Sequence, residues 1–85
     1  MGTEIFKVVA PIAGTFYSAT SPEDPPYVRI GQKVNSGDVV GIIESMKVFT
    51  ELRTKRTGTV KNILVENEDA VIKNQELFEI EIEEN

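Results

Sequence analysis

A chain of 85 residues holds one domain, 1–85, with room for one modest hydrophobic core. Its 40% hydrophobic and 27% charged content suits a globular protein and excludes a disordered one. With no cysteine, no histidine and a net charge of −5, it offers no disulfide, no thiol nucleophile, no Cys/His zinc site, no His-based acid–base chemistry and a poor surface for nucleic acid.

The only basic cluster is Arg53, Lys55 and Arg56. No apolar run approaches the roughly 20 residues of a membrane span, and the first residues lack the layout of a signal peptide. Met1-Gly2-Thr3 reads as an expression scar or a native start.

Glu4 to Ala10 reads as a strand halted by Pro11. Ala13-Gly14 marks a turn, and Thr15-Phe16-Tyr17 begins a second short strand. Ser18 to Pro26 holds three of the four prolines and no aliphatic side chain larger than alanine. Proline lacks the ladder N–H, so this is a protruding loop, stiffened by Pro22, Pro25 and Pro26. Tyr27-Val28 folds back towards the body. Ile30 to Val34 leads into a turn at Asn35-Ser36-Gly37-Asp38.

Val39 to Thr54 is β-rich throughout and too long for one strand, so it folds back near its middle. The middle, Ser45-Met46-Lys47-Val48, contains no Gly, Asn, Asp or Pro. A tight hairpin needs positive φ at its central residues and normally recruits Asn-Gly or Asp-Gly. Such violations of turn chemistry mark functional sites. The alternative is an ordinary exposed lysine on an ordinary loop.

After Thr57-Gly58, Thr59 to Val65 is a further strand. Glu66 to Asp69 is a polar turn, and Ala70-Val71-Ile72 a short strand. Leu77 to Ile82 closes the chain with Phe78, Ile80 and Ile82 on one face and Glu79 and Glu81 on the other. Glu83 to Asn85 is expected to fray. No segment reads as a helix. About eight short strands argue for an all-β sandwich or flattened barrel. The aromatic residues Phe6, Phe16, Phe49, Phe78, Tyr17 and Tyr27 are expected in or beside the core. Lys7, Lys33, Lys55, Lys61 and Lys73 are expected in solvent.

The two halves repeat. Gly14-Thr15-Phe16 matches Gly58-Thr59-Val60 at an offset of 44, and Val34 matches Val71 at an offset of 37. The first half therefore carries about seven extra residues, placed in Ser18 to Pro26. Two β units about a pseudo-two-fold axis follow, with Met46-Lys47 at their junction.

Glu44-Ser45-Met46-Lys47 resembles the attachment signature, usually Glu-Ala-Met-Lys, of biotinyl domains. Ala10 to Tyr17, Ser21-Pro22, Gly31 to Asn35, Thr57 to Val60 and Leu64 to Asn67 resemble the biotin carboxyl carriers of acetyl-CoA carboxylase. In that family an insertion called the thumb sits where the repeat places the extra residues, here including Ser21, Pro22, Glu23, Asp24, Pro25 and Pro26.

The resemblance implies two four-stranded antiparallel sheets, with the lysine on an exposed hairpin of one and both chain ends in the other. It implies biotin attached covalently to Lys47, Met46 read by a biotin protein ligase, and Glu44 serving ligase recognition or hairpin stability. Ser45 stands where alanine is usual, and Val48-Phe49 replaces a Met- or Leu-containing pair, a change expected to touch only packing beside the turn.

The implied role is a non-catalytic carrier working between biotin carboxylase and carboxyltransferase in fatty acid synthesis. The compartment would be the cytoplasm, or the plastid stroma in a plant. The isolated domain would be monomeric, without catalytic or metal-ligating residues. Family members carry an upstream Ala/Pro-rich linker, so this chain is an excised domain or a short stand-alone carrier. The thumb is expected to contact the biotin ring or shield its tether. The neighbouring alternatives are the carrier of another biotin-dependent carboxylase and a lipoyl domain. Lipoyl domains, however, place Asp before the lysine and Ala after it.

Overall fold

A computed structural model describes residues 2–84, and the side chain of Glu84 lies outside that description. Eight strands run in order: β1 (Gly2–Val9), β2 (Gly14–Tyr17), β3 (Lys33–Val34), β4 (Val39–Ser45), β5 (Val48–Arg53), β6 (Gly58–Ile63), β7 (Ala70–Val71) and β8 (Glu76–Glu84). They form two four-stranded sheets, ordered β1-β8-β6-β3 and β5-β4-β2-β7, and every pairing is antiparallel.

Period-two alternation directs the burial. Phe78, Ile80 and Ile82 turn inward from β8 while Glu79 and Glu81 stay half-exposed. Phe16 of β2 meets Phe78 across the two sheets, with ring centroids 5.9 Å apart and planes tilted by 60°. Ile43, Val40, Val60, Val34 and Val71 complete the layer between the sheets.

The sheet orders superpose strand for strand, β1 on β5, β8 on β4, β6 on β2 and β3 on β7. The repeat is therefore physical. At Gly14 a Cβ would collide with the carbonyl of Glu44 and the side chain of Ile43; at Gly58 it would collide with the carbonyl of Glu81 and the side chain of Ile80. Both glycines let a crossing strand approach closely.

Four turns use one device. In Arg29–Gln32, Asn35–Asp38, Glu66–Asp69 and Ile72–Gln75, the last side chain accepts the first residue's N–H at 3.1, 2.8, 2.9 and 3.0 Å. The third residue of each, Gly31, Gly37, Glu68 or Asn74, has positive φ, as a type II turn demands.

Several expectations need correction. β6 ends at Ile63, although Val65 is still buried. Ile72 lies in the turn after β7 and is exposed. β8 extends through Glu83 and Glu84, whose backbones pair with Thr3 and Gly2. Asn85 lies outside the described residues. Phe49 is not a core or core-edge residue, for 63% of its surface is exposed.

Candidate functional site

Ser45 pairs with Val48, so Met46 and Lys47 alone close the β4–β5 hairpin. A two-residue link between twisted strands selects a primed turn. Met46 and Lys47 accordingly take φ of 52° and 67°, the left-handed region at both positions. For side chains larger than glycine this costs about 1–2 kcal/mol per residue. The register that buries Ile43 and Leu52 fixes the strands, and the turn absorbs the strain.

The consequence is display. Met46 is 93% exposed, Lys47 is exposed, and among the described residues no carboxylate lies within ion-pair distance of the Lys47 ammonium. Val48 and Phe49 are also exposed, which corrects the expectation that they touch only packing beside the turn. They place an apolar surface next to the amine. Ser45 is half-buried at the end of β4.

Alternation in the hairpin sends Ile42 and Glu44 to the outer face opposite Ile43, and Phe49 pairs with Glu44 on that face. The Pro-rich segment folds over this face instead of standing free. Its base is tied by Tyr27 N–H to Ser18 O at 2.8 Å and Ser18 N–H to Asn67 Oδ1 at 3.0 Å. The Thr20 and Tyr27 hydroxyls lie 2.8 Å apart, and Ser21 donates to Asp24 at 3.0 Å across its tip.

Between this flap and the sheet lies a cavity of about 200 Å³. Ala19 to Pro22 form its roof, Tyr17, Ile42, Glu44 and Phe49 its floor, and Asn67 and Glu68 one wall. Tyr17 donates its hydroxyl to Glu44 Oε1 at 3.0 Å. That hydrogen bond, with some burial and the charges of Glu44 and Glu68, holds the Tyr17 hydroxyl above its ordinary range.

The structure thus places Glu44, Ser45, Met46 and Lys47 on one hairpin, with Ser21 and Pro22 above the adjoining face. Glu23, Asp24, Pro25 and Pro26 do not line the cavity. Tyr17, Ile42, Phe49, Asn67 and Glu68 were not among the expected site residues. Strand alternation around Ile43 was the one sequence signal for Ile42. Phe49 was masked by its hydrophobicity, and Asn67 and Glu68 sit on a turn distant in sequence.

Fold and site define a class: a small domain of duplicated β halves that presents one lysine amine on a strained turn. The chain belongs to the biotin/lipoyl attachment family, whose model, described as "Biotin-requiring enzyme", matches residues 7–80. It is 42% identical over 73 residues to the biotin carboxyl carrier protein of acetyl-CoA carboxylase of Pseudomonas aeruginosa, covering 86% of this chain and 47% of that protein. It is 41% identical over 71 residues to the chloroplastic carrier protein 2 of Arabidopsis thaliana, covering 84% of this chain and 28% of the relative. The chain thus spans less than half the length of either. The crystal structure of Kluyveromyces lactis urea carboxylase matches with a TM-score of 0.76 at 27% identity, over 91% of this chain and 6% of that one.

Proposed function

We propose that residues 1–85 form a single biotin-attachment domain and that Lys47 is the residue that carries biotin. The carrying observation is the hairpin: a lysine without an ion-pair partner among the described residues, at the crest of a strained two-residue turn. Attachment forms an amide between Lys47 Nζ and the carboxyl carbon of an activated biotinyl-adenylate held by a biotin protein ligase. The nucleotide leaves and the amine loses a proton. Met46, exposed beside the lysine, is the side chain the ligase reads, and Glu44, held by Tyr17, supports the hairpin.

The domain catalyses nothing itself. Biotin supplies the ureido nitrogen that accepts a carboxyl group. The chain supplies presentation, and tethering raises the local concentration of that nitrogen at each enzyme. The partners are biotin carboxylase and a carboxyltransferase acting on acetyl-CoA, a reading supported by the names of the relatives. The flap from Ser18 to Pro26 is the thumb, and its cavity receives the biotin head. An extended biotinyl-lysine reaches on the order of 14 Å. Glu44 lies three residues before Lys47, so its Cα is at most about 11 Å away.

Biotinylated protein incubated with biotin carboxylase, ATP and labelled bicarbonate should acquire one acid-labile label per chain. A biotinylated chain that stays unlabelled while free biotin is carboxylated overturns the carrier reading. Deleting residues 19–25 should raise biotin mobility and amide exchange in β4 and β5. Unchanged mobility and exchange would remove the thumb's role.

A further inference from the structure

The cavity under the thumb combines an apolar surface, from Ala19, Pro22, Ile42 and Phe49, with two carboxylates, Glu44 and Glu68. Among the described residues no basic side chain lines it. Glu44 Oε1 accepts from Tyr17, which leaves Glu44 Oε2 without a partner among the described residues. Asn67 Oδ1 already accepts the Ser18 N–H. The two charged groups of the cavity are therefore both negative, while Asn67 Nδ2 and the Thr20 and Ser21 hydroxyls are among its neutral polar groups.

We infer that the thumb cavity is selective for the charge state of the tethered head, holding uncarboxylated biotin and releasing the carboxylated form. This rests on the proposal that the head docks there. Uncarboxylated biotin is neutral, and its ureido ring offers two N–H donors to acceptors such as Glu44. Carboxylation forms an N–C bond at one ureido nitrogen. That nitrogen loses its hydrogen, one bicarbonate oxygen leaves as phosphate with the γ-phosphoryl group of ATP, and the new carboxylate stays ionised.

The product has lost a donor and gained a negative charge. Both changes oppose a cavity whose two charged side chains, Glu44 and Glu68, are carboxylates, since like charges repel. Carboxylation thus frees the loaded arm for the next enzyme, and transfer of the carboxyl group lets it dock again. Glu44 and Glu68 act on the charged state without touching the reacting atoms in either enzyme.

The test uses ¹⁵N-labelled biotinylated protein with a trace of biotin carboxylase, ATP and bicarbonate, and a control lacking bicarbonate. Amide shifts of Ala19 to Ser21 should differ between unbiotinylated and biotinylated protein. On carboxylation they should return most of the way to the unbiotinylated values. In the E44Q/E68Q protein they should stay near the biotinylated values. Thumb shifts that remain at their biotinylated positions after carboxylation of the wild-type chain overturn the selectivity while leaving docking intact. A double variant that reverts like the wild type overturns the role of the two carboxylates. Identical shifts with and without biotin remove docking, and the selectivity with it.

Discussion

The Tyr17 hydroxyl reaches across from β2 to donate to Glu44 Oε1 at 3.0 Å, joining two strands on the face that the Pro-rich flap covers. Its titration has a sign. The hydroxyl titrates above the ordinary phenol range, chiefly because the hydrogen bond to Glu44 favours the protonated phenol. A group whose folded value is raised contributes stability below its unfolded value and loses it as pH rises through the folded one. Tyr17→Phe should therefore flatten the loss of stability above about pH 10, measured by urea unfolding at stepped alkaline pH. An alkaline limb unchanged in the variant would contradict this.

The hairpin stores strain that a better turn would remove. Met46→Asn with Lys47→Gly supplies the residues a type I′ turn prefers. The double variant should be more stable by about 1–2 kcal/mol in urea unfolding, while accepting no biotin. Unchanged or lower stability would mean that the left-handed backbone at 46 and 47 carries no cost.

Gly14 and Gly58 make equivalent close approaches to Glu44 and Glu81. Gly14→Ala and Gly58→Ala should each destabilise the domain by about 1–3 kcal/mol, since the obstructing atoms include backbone carbonyls that cannot rotate aside. Equal effects at the two positions would express the pseudo-symmetry in energy. A neutral alanine at either would refute the collision.

Most of the fold was legible because its determinants are local. Alternation along Leu77 to Ile82 gave the buried face of β8, and the matched Gly-Thr-aromatic or Gly-Thr-aliphatic segments gave the duplication and the inserted flap. The hairpin was legible for the opposite reason: Val39 to Thr54 had to reverse where no residue favours reversal. The cavity was not legible. Its walls come from β2, the flap, the hairpin and the Glu66–Asp69 turn, brought together only by tertiary packing. Phe49 misled because hydrophobicity does not say which side of a strand is covered. Its pairing with Glu44 places it outward.

Intact-mass measurement after incubation with a biotin protein ligase, biotin and ATP tests the assignment of Lys47 most directly. The wild-type chain should gain one biotinyl group, peptide mapping should place it on Lys47, and Lys47→Arg should gain none while keeping the wild-type unfolding transition. A folded Lys47→Arg chain that still gains one biotinyl group, or a wild-type chain that gains none beside a carrier that does, would contradict it.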